Sequence, residues 1–196
     1  MCYGKTRTPE YIAKFPSNLA PGLEHDGVCL IEGLAIMRYL AKAFPDKAGK
    51  FYSTDAAKAA KADMIGEYIT ASIYPLIAKS MYPIVGFPMS AGDVGAMDST
   101  KDKTQESQDA AAAELLNLLN TKVCDIFLKD TPYLMSDEPT IADFKFAPLL
   151  LFARIGVKLP AKLEAYMAKM EEIPGYKDAM EFGGHGPKPF TEDKKK

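Results

Sequence analysis

The sequence predicts a small mixed α/β domain followed by a larger all-helical domain. The first 46 residues alternate short strand-like and helix-like patterns, with prolines and glycines between them. After residue 53 the pattern changes, and apolar residues recur at helical spacing over long stretches. We therefore predict an α/β domain at 1–46, a linker at 47–53, an all-helical domain at 54–184 and a flexible tail at 185–196.

Local signals define the elements of the first domain. Thr8 and Pro9 are residue types favoured at a helix cap and at the first helical position, so a short helix is expected to begin there. Asp26 and Gly27 favour the positive φ angles of a tight hairpin turn. The predicted order is a helix from Thr8, a strand at 22–24, a turn at 25–27, a strand at 28–31 and a helix over 32–44.

The second domain is predicted to consist of long helices. Asp55, with Thr54, is suited to cap a helix that runs to about Ser80, and Pro75 is expected to kink it. Met64 and Ile126 are counted among the apolar stripes of the two longest helices. The remaining predictions are a loop over 83–100 and helices over 101–129, 140–154, 160–172 and 174–182.

Composition narrows the function. With 47% hydrophobic residues among 196, the chain can build a core unaided, and its net charge of −2 gives no general attraction to nucleic acid or anionic membrane. No apolar run approaches the ~20 residues that span a bilayer. The three cysteines (Cys2, Cys29 and Cys124) have no metal-ligand spacing and suit a reducing compartment, so we predict a cytoplasmic protein without a metal site. His25 and His185 form no catalytic constellation.

Three motifs carry a resemblance to a known family. They are LAPGL at 19–23, DGVCLIEGLAIMRYL at 26–40 and EPTIADF at 138–144. Together they resemble the cytosolic glutathione transferases over about residues 7–182. The segment at 8–16 is also similar to theta-type transferases and to the elongation factor 1 gamma subunit. The resemblance implies an α+β thioredoxin-like N-terminal domain, truncated at its start, followed by an all-α glutathione-transferase C-terminal domain.

By this resemblance, Ala20 and Pro21 belong to a glutathione site. In the family, a cis proline turns the N–H and C=O of the preceding residue toward the cysteinyl backbone of glutathione. The alternative is a trans proline in an ordinary loop, since most such bonds are trans. Leu19 replaces the basic residue usual in the family, so one contact to the glycyl carboxylate is absent.

The resemblance also assigns Glu32 and Gly33 to the γ-glutamyl end of glutathione. A helix N-terminus offers free N–H groups to a carboxylate, and an acidic side chain pairs with an ammonium group. Gly33 replaces the serine of the family, which removes one hydroxyl donor worth roughly 1.5–3 kcal/mol. The alternative for Glu32 is a first-turn acid favoured by the helix dipole.

The third motif is a helix cap. Thr140 and Asp143 have the spacing of a capping box, in which each side chain accepts a hydrogen bond from the other residue's backbone N–H. Pro139 precedes it, and the role is structural. The helix that follows is expected to be central and buried, with Phe144, Phe146, Leu149, Leu150 and Phe152 in the core.

The catalytic residue has no counterpart in the sequence. The family's opening strand and helix carry a Tyr, Ser or Cys that activates the thiol, and no such segment precedes Thr6. Cys2 and Tyr3 are chemically suitable but fall where the second strand is expected. Three explanations stay open: another segment covers the exposed sheet edge, the domain is rearranged, or the true start lies upstream.

Tyrosines of the helical domain offer a second candidate site. Tyr68, Tyr74 and Tyr82, with Met81, are candidates to line a pocket for an apolar electrophile, although such residues are more often part of a core. The resemblance thus implies a homodimeric enzyme that joins glutathione to electrophiles or reduces peroxides. The alternative is a non-catalytic interaction module with a protein partner, as in elongation factor 1 gamma.

Overall fold

A computed structural model describes residues 5–82, 84 and 104–181. Most of the predicted loop at 83–100, the tail at 185–196 and the residues Cys2, Tyr3 and His185 lie outside the described residues. The chain divides into two compact units, and the division falls between Ala59 and Ala60. No helix in the described ranges has the length and apolar character needed to cross a bilayer.

The first unit contains a hairpin and short helices. Thr8 caps the first helix, because its Oγ1 accepts from the Tyr11 N–H at 3.3 Å. The helix therefore begins at Pro9, as predicted. The elements in chain order are a 3-10 turn at Lys5–Arg7, α1 at Pro9–Lys14, β1 at Gly22–His25, β2 at Val28–Ile31, α2 at Gly33–Ala43, α3 at Pro45–Ala48 and a 3-10 turn at Gly49–Phe51.

The hairpin has the predicted turn. Strands β1 and β2 are antiparallel, and His25 pairs with Val28 across a two-residue loop. Asp26 has φ 47° and Gly27 has φ 77°, the positive values that a type I′ turn requires at both positions. Among the described residues, these two strands form the only sheet.

The predicted linker contains regular structure. Pro45 does not only end the preceding helix; it is the first residue of α3, where its missing N–H costs no hydrogen bond. The 3-10 turn follows directly, and Lys42 of α2 lies 6.0 Å from the centre of the Tyr52 ring. The predicted linker at 47–53 lies within the first compact unit.

The rest of the described chain consists of helical elements and connecting loops, and its first helix crosses the division between the two units. The elements are α4 at Ala56–Tyr68, a π-helical segment at Ile69–Ile73, α5 at Tyr74–Met81, α6 at Gln105–Leu118, a π-helical segment at Leu119–Phe127, α7 at Ile141–Ala153, α8 at Ala161–Glu171 and α9 at Tyr176–Glu181. Asp55 caps α4 through its Oδ1, which accepts from the Lys58 N–H at 2.9 Å. The two long helices predicted over 54–80 and 101–129 are present in their described parts, and each contains a π-helical stretch that the sequence pattern did not indicate.

A four-residue repeat explains the π-helical segments. Four residues exceed one α-helical turn of 3.6 residues, so a strict repeat of four drifts around an α-helix. A π turn contains more residues, because its hydrogen bonds reach from residue i to i+5. A π-helical segment therefore corrects this drift and keeps the repeated apolar side chains on one face. Met64 and Ile126, assigned to the stripes by α-helical spacing, are instead 51% and 48% exposed. The buried repeats are Ile65, Ile69, Ile73, Ile77 and Met81 in one helix and Leu115, Leu119, Val123 and Phe127 in the other.

Helix α7 supplies the centre of the helical core, as predicted. Phe146 and Leu150 are fully buried, and both belong to the main cluster of apolar side chains. Phe144, Leu149 and Phe152 are partly buried and pack against that cluster. The predicted core of this helix is therefore confirmed, with two residues inside it and three at its margin.

Candidate functional site

The hairpin brings the two predicted glutathione-binding motifs together. Gly22 and Ile31 are directly opposite each other in the register of β1 and β2. Ala20 and Pro21 come immediately before this pair, and Glu32 follows it. Both motifs therefore leave the sheet at the same end, opposite the Asp26–Gly27 turn.

The loop before β1 has the predicted backbone. The peptide bond between Ala20 and Pro21 is cis, which confirms the expectation. Ala20 and Pro21 are both exposed residues. Leu19, which stands in place of a basic residue, is also exposed, at 42%.

Glu32 has an unusual backbone conformation. It is the N-cap residue of α2 with φ 68° and ψ 117°, a region that non-glycine residues rarely occupy. Its side chain makes no capping hydrogen bond, and the first turn of α2 contains no acid. Glu32 thus lies one position before the first turn, where the helix dipole still favours an acid, so this alternative stays open. Strained backbone of this kind persists at functional sites when the surroundings fix it, and it leaves the exposed carboxylate available.

Helix α2 offers backbone donors at the same place. The first N–H groups of an α-helix have no acceptor within the helix. At α2, the N-cap side chain does not accept a hydrogen bond from them either. Leu34 and Ile36 bury the inner side of this first turn, with 6% and 9% of their surfaces exposed. Gly33 begins the helix, and a Cβ placed on it would meet no atom within 4 Å. The N-terminus of α2 is therefore anchored, open and able to take a larger residue at its first position.

Two contacts of α1, one to the loop before β1 and one to β1 itself, were not predicted from the sequence. The Tyr11 hydroxyl donates to the Leu19 backbone oxygen at 2.7 Å, and Lys14 Nζ lies 2.6 Å from Glu24 Oε2. The Lys14 pKa is raised by its hydrogen bond and charge interaction with Glu24. Neither pair has a spacing that indicates contact in the sequence, because both depend on how α1 folds back onto β1.

His25 has a structural role in this unit. The sequence placed it in the turn, but it is the last residue of β1. Its Nδ1 lies 2.8 Å from the Tyr39 hydroxyl, and its ring centre is 5.1 Å from that of Phe44. These contacts connect β1 to the C-terminal half of α2, away from Glu32.

The three tyrosines of the predicted cosubstrate pocket do not form one group. The Tyr74 and Tyr82 hydroxyls lie 2.5 Å apart, and the Tyr82 ring also packs edge-on against Phe152 at 5.6 Å between ring centres. Tyr68 packs edge-on against Phe127 at 5.5 Å. The core interpretation therefore describes Tyr68, whereas Tyr74 and Tyr82 are half-buried and share one hydrogen bond.

The capping box is present and belongs to a larger network. The Thr140 N–H donates to Asp143 Oδ2 at 2.7 Å, as predicted. Asp143 Oδ1 also accepts from the Leu134 N–H and from the Tyr166 hydroxyl, both at 3.0 Å. Burial raises the pKa of the Asp143 carboxyl more than these hydrogen bonds lower it. This fully buried carboxylate holds a loop and helix α8 to the start of α7.

The two cysteines in the described part of the chain show no sign of an activated thiol. Burial raises the pKa of the Cys124 thiol, which makes it a weaker nucleophile, and Cys29 is exposed on β2. Within the described ranges, no group of three or more His, Cys, Asp or Glu residues is arranged to hold a metal ion. A residue that activates a thiol is not assigned in this part of the chain.

Comparisons with known sequences identify relatives. A family model described as the glutathione S-transferase N-terminal domain matches residues 1–42. The glutathione S-transferase-like protein FUS3 of Gibberella moniliformis is 31% identical over 148 residues, covering 75% of this chain and 60% of that protein. The glutathione S-transferase of Hyoscyamus muticus is 27% identical over 188 residues, covering 91% and 82%. Human elongation factor 1-gamma is 27% identical over 166 residues, covering 84% and 33%.

Solved structures show the same fold. Glutathione transferase F7 of Populus trichocarpa is 26% identical with a TM-score of 0.68, covering 91% of this chain and 81% of that chain. The theta-class glutathione S-transferase of Xanthomonas axonopodis pv. citri, solved with glutathione bound, is 22% identical with a TM-score of 0.72, covering 88% and 77%. These likenesses confirm an α+β unit of thioredoxin-like fold followed by an all-helical unit. The chain spans about 60% of the length of FUS3. Sequence and fold together support the assignment of the chain to the glutathione S-transferase family.

Proposed function

We propose that this chain binds glutathione at the open end of the hairpin and conjugates the glutathione thiol to small electrophiles or uses it to reduce peroxides. Ala20, Pro21, Glu32 and Gly33 form the site. The Ala20 backbone pairs with the cysteinyl part of the ligand. The Glu32 carboxylate pairs with its ammonium group, and the N–H groups that open α2 receive its γ-glutamyl carboxylate.

The conformation of Glu32 is the observation that carries this proposal. A positive φ at a glutamate costs on the order of 1–3 kcal/mol, and glycine is the residue that tolerates it best. Glu32 makes no capping bond that offsets this cost. A role for its carboxylate in holding a cationic ligand group supplies the missing reason.

The reaction needs a thiolate at the cysteinyl end of the bound ligand. In conjugation, the thiol releases its proton to solvent, the sulfur bonds to an electrophilic carbon, and the leaving group departs with the bonding electrons. In peroxide reduction, two glutathione molecules supply two electrons and become one disulfide, while the hydroperoxide becomes an alcohol and water. No base or hydroxyl among the described residues is assigned to the deprotonation. The proposed site therefore accounts for the binding and orientation of glutathione only. Tyr74 and Tyr82 stay the candidates for contact with an apolar cosubstrate, and Tyr68 is a weaker one.

Replacing Gly33 with serine is expected to strengthen glutathione binding about 10-fold or more. A serine hydroxyl at the first position of α2 adds one donor to a charged group, worth roughly 1.5–3 kcal/mol. A Cβ there meets nothing within 4 Å, so the change fits without strain. Calorimetric titration measures the gain, and Gly33→Ala is the matched control that adds the Cβ alone. Equal affinity of the serine and alanine variants would contradict the assigned ligand position.

Activity tests the catalytic half of the proposal. We expect the chain to accelerate the reaction of glutathione with an aryl halide, or the glutathione-dependent loss of an organic hydroperoxide, and Glu32→Ala to reduce either rate at limiting glutathione. If the chain binds glutathione but accelerates neither reaction, the proposed binding site stands and the proposed enzymatic activity is refuted.

A non-catalytic interaction module is the second candidate. Two observations favour it: the similarity to elongation factor 1-gamma over 84% of this chain, and the loss of two family contacts at Leu19 and Gly33. This candidate predicts a stable heteromeric complex and no glutathione affinity. The enzyme candidate predicts a homodimer, which sedimentation of the purified chain distinguishes from a monomer. The reducing cytoplasm is the proposed location, because the cysteine content suits it.

A further inference from the structure

The side chain of Tyr11 contacts the loop that carries the proposed glutathione-binding backbone. Its hydroxyl donates a hydrogen bond of 2.7 Å to the backbone oxygen of Leu19. Helix α1, which carries Tyr11, contacts β1 through the exposed Lys14–Glu24 ion pair, and the buried ring of Phe15 at its C-terminal end packs beside Gly22. The hydroxyl that reaches Leu19 is therefore held by an element that is itself attached to the hairpin.

Gly22 makes this approach possible. A Cβ at Gly22 would lie 2.9 Å from the Tyr11 hydroxyl oxygen and 3.0 Å from the Phe15 ring. Both distances are shorter than side chains normally allow. The absence of a side chain at the first residue of β1 thus lets both aromatic side chains pack directly on the backbone that leads to Pro21.

A hydrogen bond at Leu19 orients the next backbone donor. The peptide unit is planar, and the Leu19 C=O and the Ala20 N–H of a trans unit point in opposite directions. Fixing the Leu19 oxygen therefore fixes the direction of the Ala20 N–H. A donor at the carbonyl also polarises the peptide unit and strengthens its N–H as a donor.

We propose that Tyr11 is a positioning residue that aims the Ala20 N–H at the ligand, an inference that rests on the proposed glutathione site. Tyr11 itself does not touch the ligand. The hydroxyl acts through the Leu19–Ala20 peptide unit, so the side chain sets the affinity for the cysteinyl backbone without taking part in the chemistry.

Tyr11→Phe tests this role, since it removes the hydroxyl and keeps the ring that packs 4.7 Å from Phe15. We expect the Kd for glutathione to rise on the order of 2- to 12-fold, the range for one neutral hydrogen bond. The carbonyl ¹³C resonance of Leu19 should also shift in the ligand-free protein. Tyr39→Phe is the matched control, because it removes a half-buried hydroxyl bonded to His25 in the same unit. Gly22→Ala displaces the Tyr11 hydroxyl and should act in the same direction as Tyr11→Phe.

The two hypotheses fail in different ways. If the wild type binds glutathione and Tyr11→Phe binds no worse than Tyr39→Phe, the positioning role is overturned while the glutathione site stands. If the wild type does not bind glutathione, the proposed function fails and the Leu19 resonance decides the orienting role alone. A shift of the Leu19 resonance in Tyr11→Phe, absent in Tyr39→Phe, then supports the hydrogen bond that orients the Leu19–Ala20 peptide unit. An unchanged resonance overturns the orienting role.

Discussion

Replacing Asp143 with alanine is expected to lower the free energy of unfolding by about 2–5 kcal/mol. The carboxylate accepts from the Leu134 and Thr140 N–H groups and from the Tyr166 hydroxyl, and each buried donor left without an acceptor costs about 1–3 kcal/mol. Removal of a buried charge returns part of that cost. Urea denaturation measures the change as a lower midpoint.

Asp137→Ala is the control for this substitution. Asp137 is exposed and lies in the same loop, so its removal should change the free energy of unfolding by no more than about 0.5 kcal/mol. A loss below about 1 kcal/mol in Asp143→Ala would show that the network contributes little to the fold.

The effect of Asp143 should also depend on pH, with a definite sign. Burial raises its pKa above the ordinary value of 3.8, so the folded state holds the proton more tightly than the unfolded state. Its contribution to stability is therefore greatest below that ordinary value and falls as the pH rises through the raised pKa. The destabilisation by Asp143→Asn should be larger at pH 4 than at pH 7. A larger effect at pH 7 would mean that hydrogen bonding, and not burial, dominates.

Replacing Glu32 with glycine is expected to abolish most of the glutathione affinity without weakening the fold. Loss of the carboxylate removes a hydrogen bond between charged groups, which lowers affinity about 10- to 100-fold. Glycine accepts the φ of 68° without strain, so the free energy of unfolding should stay level or rise. Calorimetric titration and urea denaturation measure the two effects on one sample.

Two further variants separate the causes. Glu32→Ala removes the carboxylate and keeps the strained backbone, so it should lose affinity equally and be less stable than the glycine variant. Glu10→Gln removes an exposed acid from α1 and should change neither property. Undiminished binding by Glu32→Gly would refute the assigned role of the carboxylate.

Local chemistry made several elements predictable from the sequence. The Asp26–Gly27 turn requires positive φ values that these residues supply, and the cap by Thr8 needs only a hydroxyl beside Pro9. The Thr140–Asp143 box is likewise set by spacing within one turn. Such elements depend on neighbours in the chain, so their residues are sufficient to indicate them.

Features that depend on tertiary packing were not predictable in the same way. Asp143 meets Leu134 and Tyr166 at separations of 9 and 23 residues, and no local pattern indicates that convergence. The π-helical segments accompany a strict apolar repeat of four residues. A search for α-helical spacing accepts separations of three and four alike, so it does not detect this repeat. A positive φ is expected at a glycine, but at the start of α2 it occurs at Glu32 and not at the neighbouring Gly33, so the sequence did not indicate it.

Titration of ¹⁵N-labelled protein with glutathione tests the central claim most directly. The account predicts saturable shifts in the amide resonances of Ala20, Gly22, Gly33 and Leu34, with an affinity that Glu32→Ala reduces. No change in these resonances, or changes confined to the helical unit, would contradict a glutathione site at this end of the hairpin.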